Sequence, residues 1–339
     1  MLPKKARLAR DEACSDGPVN IQEAMAWPLT ISQDIVAAER VGALASGAVD
    51  RLVCSLQSGI DISSSMSGMG GEISGVQLMA EGLVRSNLLL ARDAYTHDAP
   101  HSSGLQFVDS TEKKTLCQNI LKSYVAHRHP SHIFMDFLDR IPEEVRIILL
   151  DLCPTIDGDP TMFEEQYYAM HDVLRETQGL FADGTEAQCA LHGKACKLYG
   201  GRLGVGITCH WAGTVCRDVS SMGSRLGAFG PWSILFLAWV YERRQRREVL
   251  IFHECTVGFQ ESLLQEALSD LYSIFTVCIG PEDFGWWACR PHKLSIMVLR
   301  SAAVFLGDMA MFQRVFVKHR VSESEHGSMF VCVPCSRCI

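Results

Sequence analysis

Short apolar runs alternating with amphipathic helical stretches predict an α/β protein, Rossmann-like, with a mostly parallel sheet flanked by helices. Three observations carry this expectation. Strand-like pieces and helical patterns alternate along most of the 339 residues; acidic residues follow two of the strands; and a serine- and glycine-rich loop precedes a long helix.

Residues 1–20 are polar and lack apolar periodicity, so they read as a disordered lead-in. Residues 21–60 form an N-terminal helical segment, where Ile35, Val36, Val41, Leu44, Val49, Leu52 and Val53 suit one or two amphipathic helices. Residues 63–71 are a serine and glycine loop, and 76–90 a helix. A strand at 105–108, a helix at 116–125 and a strand at 132–135 follow. Residues 154–208 open with Pro154, Gly158 and Pro160 and read as an insertion between two strands of the main sheet, with an acidic helix at 161–176. The sheet resumes at 207–212, then a helix at 232–247, a strand at 249–252, a helix at 261–271 and strands at 274–279 and 294–299. These elements bound a catalytic domain over 61–306 and a C-terminal tail over 307–339.

Composition limits the function classes. A chain with 47% hydrophobic and 21% charged residues can bury a sizeable core. No window reaches the roughly 18 apolar residues of a membrane span, so no membrane partner is expected, and the N-terminus lacks a secretory pattern. The 14 cysteines are scattered along a long chain and read mostly as buried thiols. A net charge of -8 argues against nucleic-acid binding by bulk charge, so any such binding needs a local patch. Lys4, Lys5, Arg7 and Arg10 offer a weak nuclear address, though a solvated tail is the favoured reading.

Several constellations carry chemistry. Ser67-Gly68-Met69-Gly70-Gly71-Glu72 falls short of a full dinucleotide fingerprint, but Glu112 and Asp136 each follow a short strand. At the carboxyl ends of a doubly wound sheet, one acid can hold ribose hydroxyls and the next an adenine amine; Asp109 is an alternative to Glu112 for the ribose. Cys216 sits in a polar loop read as flexible enough to close over a base, and Glu254 ends an apolar run. Arg217, Arg225 and the helix start near Trp232 are placed to lower a thiol pKa. Arg243, Arg244, Arg246 and Arg247 form the densest basic cluster, for which a solvated helix end is favoured over phosphate contact. Cys189, His192 and Cys196 could join Cys209 or His210 around zinc, but their spacing is not the clean paired type, and no metal is assigned. Cys332, Cys335 and Cys338 lack a local fourth ligand.

The order Ser67-Gly68-Met69-Gly70-Gly71, Asp136, Val215-Cys216-Arg217-Asp218-Val219-Ser220, Glu254-Cys255-Thr256 and Arg290-Pro291-His292-Lys293 resembles the C5 cytosine-specific DNA methyltransferases over roughly residues 60–300. The resemblance implies a Rossmann-like methyltransferase fold that binds S-adenosyl-L-methionine through Ser67, Gly68, Met69, Gly70, Gly71, Glu112 and Asp136. It further implies that Cys216 attacks carbon 6 of a flipped cytosine, that Glu254 contacts nitrogen 3, and that Arg290 and His292 stand for the family's basic Gln-x-Arg-x-Arg strand. Methyl transfer to carbon 5 of cytosine in DNA, in the nucleus, is the activity implied. Departures are Val215 for the usual proline, Arg217 for glutamine, Cys255 for asparagine, and Pro291 and Lys293 in the last element. The chain also stops before the family's target recognition region, which a partner chain could supply. Alternatives are an RNA cytosine-5 methyltransferase, a catalytically silent methyltransferase-like binding domain, and an unrelated nucleotide-binding protein.

Overall fold

The structure, a computed structural model, describes residues 26–42, 46–86, 88, 105–124, 130–182, 184–198, 207–214, 216–220, 222–284 and 290–305. The basic lead-in, Val215, the tail over 307–339 and its Cys332, Cys335 and Cys338 lie outside the described residues. Two compact units are present. The larger comprises Pro28–Cys278 with His292–Phe305 and holds the sheet. The smaller includes Ile279–Pro291, where Gly280 donates its N–H to the Asp283 carboxylate at 2.8 Å, closing the short turn Pro281–Phe284.

Helices α1 (Trp27–Arg40) and α2 (Ala48–Ser58) precede the first strand, β1 (Ile60–Ser65). Then come α3 (Gly71–Arg85), β2 (Leu105–Thr111), α4 (Thr115–Ser123) and β3 (His132–Phe134). A 3-10 turn, Phe137–Arg140, leads into α5 (Glu143–Leu152) and α6 (Phe163–Glu176), followed by a hairpin of β4 (Glu186–Cys189) and β5 (Lys194–Lys197). The chain returns through β6 (Ile207–Gly213), α7 (Ser233–Arg246), β7 (Leu250–Thr256), α8 (Glu261–Leu268), β8 (Tyr272–Ile279) and β9 (His292–Leu299).

Among the described residues, nine strands form one sheet in the order β5-β4-β3-β2-β1-β6-β7-β9-β8. Strands β3, β2, β1, β6 and β7 are successive parallel neighbours, and β9 runs antiparallel to β7. The order reverses between β1 and β6, the kind of switch point at whose strand carboxyl ends open α/β sheets take their ligands. Apolar residues spaced three and four apart bring Val145 and Leu149, then Tyr167, Met170 and Leu174, into one core with Leu237, Leu264, Ile251 and Met297. On the opposite face Ile73 of α3 and Leu121 of α4 pack on Ile62, Phe107, Ile133 and Cys209. The result is the α/β Rossmann-like architecture expected for a methyltransferase fold, a mixed sheet between two helical layers.

The structure departs from the sequence expectation in three places. Ser63, Ser64 and Ser65 belong to β1 rather than a loop. Two of the three hydroxyls are satisfied across strands, Ser63 with His210 Nδ1 at 2.7 Å and Ser64 with Ser110 at 2.8 Å, while the Ser65 hydroxyl is buried without a partner. Helix α3 starts at Gly71, earlier than the apolar periodicity indicates. The 154–208 stretch supplies α6 to the main core and a β4–β5 hairpin that extends the sheet beyond β3.

Candidate active site

The loop after β1 is set by backbone conformation. Met66, Gly68 and Gly70 take φ of 55, 56 and 75°. Gly70 is where glycine is required: its left-handed backbone starts α3, and an added Cβ would meet Leu121 Cδ2 at 2.8 Å. Ser67 donates its N–H to the Thr111 carbonyl at 3.1 Å, and the Tyr124 hydroxyl reaches the Met69 and Gly70 carbonyls at 3.1 Å each. Added Cβ atoms on Gly68 and Gly71 would meet nothing within 4 Å. The loop backbone therefore borders open space at a helix N-terminus, where a partial positive charge favours anionic or polar groups.

Glu112, just past β2, is buried against this loop and accepts from Gly68 N and Lys114 N, each at 2.8 Å. Asp109 faces elsewhere, paired with Arg140 at 3.0 Å. Asp136, just past β3, accepts from Leu138 N at 3.1 Å and pairs with Lys113 Nζ at 2.6 Å. Glu72, in the first turn of α3, went unremarked as a site residue in the sequence. Burial raises its carboxyl, the Glu112 charge adds to the rise, and Glu72 Oε1 is buried without a hydrogen-bond partner. Its signal was an acid directly after the glycine pair at a helix start.

Cys216 lies just beyond β6, half-buried against the larger core. Its carbonyl accepts from Val219 N at 3.1 Å and Ser220 N at 2.7 Å, and the Arg217 carbonyl accepts from Ser224 N at 2.8 Å. Asp218 organises the rest. Its carboxylate accepts from the Ser224 hydroxyl and from Trp232 N, both at 2.7 Å, while its carbonyl accepts from Gly227 N at 2.9 Å. The loop read as flexible is instead fastened at both ends by one buried carboxylate, which also satisfies a free N–H at the start of α7. Arg217 lies over the Trp232 ring at 4.9 Å. Arg225 takes φ of 56° farther along.

A Cβ on Gly230 would stand 2.5 Å from Asp218 Cγ. Gly230→Ala should therefore expel the Asp218 carboxylate from Trp232 N and destabilise the domain by about 1–3 kcal/mol. Thermal unfolding of the variant would measure this, and an unchanged midpoint would refute the role given to Asp218.

Glu254, in β7, is paired in register with Gly213 of β6 and with Leu294 of β9. Its carboxylate meets His292 Nδ1 directly. Burial holds the His292 imidazole below its ordinary value. Lys293 points away, to the Phe259 carbonyl at 2.7 Å and Glu261 at 3.0 Å. Arg290, grouped with Glu254 and His292 in the sequence, belongs to the smaller unit and is exposed there. Neighbours of Glu254 in β7 are buried: His253, driven to about 3 by desolvation, bonds Thr214 Oγ1 at 2.7 Å. Burial pushes the Cys255 thiol up to about 11 and Cys209 to about 12, so both stay protonated.

Of the α7 arginines, Arg243 is buried, Arg244 and Arg246 are partly exposed and Arg247 is exposed. Arg243 is buried between Glu242 and Glu248, Arg246 pairs with Glu242 at 2.9 Å, and Arg244 forks onto Asp270 with two bonds of 2.7 Å. Arg247 caps the helix in a left-handed conformation. The solvated helix end read from sequence describes Arg247, and Arg243 departs from it as a buried ion pair. Around Cys189, His192 and Cys196 the fourth group is His132 of β3. Cys209 sits in the core beneath α3, and His210 accepts from the Trp239 indole at 3.1 Å.

No family model matches the sequence, and no curated protein matches it. Among solved structures, the chain is similar to the Schizosaccharomyces pombe Dnmt2 methyltransferase at 9% identity, covering 80% of this chain and 57% of that one, TM-score 0.39. It is similar to a protein described as a DNA modification methyltransferase encoded within an Escherichia coli prophage at 13% identity, covering 74% and 49%, TM-score 0.38. A third is the Entamoeba histolytica methyltransferase EhMeth, at 9% identity, covering 74% and 55%, TM-score 0.35. The chain spans about half the length of these structures.

Proposed function

We propose that this domain is an S-adenosyl-L-methionine-dependent methyltransferase that modifies carbon 5 of cytosine in DNA through a covalent adduct on Cys216. One observation carries the reading. An added Cβ on Gly213 would stand 3.4 Å from Glu254 Oε2 and 3.5 Å from the Met66 carbonyl, so the acid, the end of β6 that leads to Cys216 and the start of the glycine loop lie together where the strand order reverses.

The residues present suit the cofactor: Glu72 Oε1 is an orphaned buried acceptor, and the loop backbone at Gly68 and Gly71 is bare. Ser67, Gly68, Met69, Gly70 and Gly71 with Glu112 and Asp136 would hold it. When bound, it supplies an electrophilic methyl group carried on a sulfonium. Cys216 as thiolate adds to carbon 6 of cytosine, forming the C–S bond and pushing the electron pair toward carbon 5. Glu254 in its protonated form donates to ring nitrogen 3, so the charge pushed into the ring by the addition is neutralised there, with His292 positioning the carboxyl group. Carbon 5 then takes the methyl group as its bond to the sulfonium breaks, and loss of the carbon 5 proton to water returns the electron pair, so the C–S bond breaks and Cys216 leaves as thiolate. The base must leave the duplex stack to reach Cys216. With a net charge of -8, the surface for reading DNA is assigned to a partner chain, and the setting to the nucleus.

Incubation with S-adenosyl-L-methionine and a duplex carrying 5-fluorocytosine tests this. Fluorine blocks the final elimination, so a denaturant-resistant adduct mapped to the Cys216 peptide is expected. An adduct on a 5-fluorocytidine RNA stem-loop alone would move the substrate to RNA. Cofactor binding without any adduct would leave a silent binding domain, and no cofactor binding would overturn the reading altogether.

A further inference from the structure

Four side chains at the margin of the sheet converge on one point, away from the chemistry proposed for Cys216. His132 lies on β3, Cys189 ends β4, His192 lies in the hairpin turn, and Cys196 lies on β5. One ligand atom from each falls within 4.8 Å of all the others. His192 Nδ1 stands 3.4 Å from Cys189 Sγ and 3.5 Å from Cys196 Sγ, and His132 Nδ1 stands 4.0 Å from Cys189 Sγ. Zinc bonds of about 2.0–2.1 Å to nitrogen and 2.3 Å to sulfur put tetrahedral ligand atoms about 3.3–3.8 Å apart. The observed separations match that edge length closely enough for a small contraction to complete the tetrahedron.

We propose that His132, Cys189, His192 and Cys196 form a structural zinc site. Hydrogen bonding among the four groups explains the cluster less well. His192 Nδ1 has one in-plane lone pair, yet two thiol sulfurs face it at nearly equal distance. A cation at the centre uses every ligand at once. Two thiolates and two imidazoles select zinc over calcium or magnesium, which take oxygen ligands. Four protein ligands leave no open position, so the site is structural rather than catalytic.

The surrounding backbone is built for such a clip. Gly193, with φ of 66°, closes the hairpin, and its N–H donates to the Cys189 carbonyl at 2.8 Å. The register sets Ala187 opposite Cys196 and Cys189 opposite Lys194, which places both sulfurs on the buried side of the hairpin. Its core is small, formed by Phe134, Ala187, Cys189, Cys196 and Leu198 with Leu191. The hairpin joins β3 through Ala190 N to the Ile133 carbonyl at 2.7 Å and Met135 N to the Gln188 carbonyl at 3.1 Å. A metal bridging His132 to the hairpin would lock the outer strands to the three-residue β3, where little apolar burial does so.

The test is metal content and cobalt spectroscopy on the whole chain, purified under reducing conditions. A variant with Cys332→Ser, Cys335→Ser and Cys338→Ser removes the tail thiols and leaves the quartet intact. That variant should carry one equivalent of zinc and, once stripped and given Co2+, show thiolate-to-cobalt charge transfer with the intense visible bands of tetrahedral coordination. Adding Cys189→Ser with Cys196→Ser should remove that equivalent, whereas Cys54→Ser, at an exposed thiol, should keep it. The cobalt spectrum needs no quartet variant, so the outcome stands even if the double variant fails to fold. Absence of thiolate charge transfer in the tail variant, zinc lost with the tail cysteines, or zinc retained by the Cys189→Ser/Cys196→Ser chain would each overturn the assignment.

Discussion

Cys216→Ala should reduce methyl transfer by at least about 10⁴-fold while leaving S-adenosyl-L-methionine affinity unchanged. Nucleophile deletions cost this much or more where the covalent step has no substitute. Among the described residues none stands ready. Cys255 is the nearby thiol, but burial pushes it up to about 11 and the charge of Cys216 adds to the rise, so Cys255 stays protonated across the working range. It also lies on the opposite face of β7 from Glu254. Cys216→Ser should be as inactive as alanine, because an unactivated hydroxyl is a far weaker nucleophile toward an electron-rich ring. Methyl incorporation into a cytosine duplex, set beside equilibrium cofactor binding, separates the two functions. A loss of less than about tenfold would sink the covalent mechanism, and parallel loss of cofactor affinity would mean that Cys216 supports the fold instead.

The sequence makes the site legible where chemistry and topology share a local signal. An acid after each short strand, a glycine loop before a helix and a cysteine after a strand are adjacent features, and a parallel sheet carries them to one edge without further information. Contacts that depend on long closures are not legible in this way. His132 lies 57 residues from Cys189 and meets it only because the hairpin folds back onto β3. Asp218 reads as one more loop charge until Trp232, 14 residues on, is seen to need an acceptor at the start of α7. Ser63 and Ser64 of β1 contradict strand propensity, and only their partners on β6 and β2 explain them. The arginines of α7 mislead for a different reason. Arginine is ordinarily exposed, yet Glu242 and Glu248 sit at spacings that could have warned of pairing.

Arg140→Met should destabilise the larger unit by about 3–5 kcal/mol, a loss typical of breaking one partner out of a buried ion-pair network. Arg140 follows Asp136 in the 3-10 turn after β3 and is only 1% exposed. Its guanidinium donates to Glu242 at 2.7 Å, to Asp109 at 3.0 Å and to the Thr111 hydroxyl, and lies over the rings of Phe134 and Phe137. One side chain thus ties β2 to α7, next to the ends of β2 and β3 from which Glu112 and Asp136 follow. Burial works to raise the Glu242 carboxyl, but Arg140, Arg243 and Arg246 overcome it and hold the group well below its ordinary value. Methionine keeps the apolar stem and removes the charge, so Asp109 and Glu242 lose their shared cation in a place that water does not reach. Lysine should recover only part of the loss, since a point charge cannot fork between two carboxylates. Arg244→Met is the control: its pair with Asp270 is partly exposed, and about 0–1 kcal/mol is expected there. Denaturant midpoints for the three variants would rank them, and a cost at Arg140 no greater than at Arg244 would mean that the network is solvated and does not brace the site.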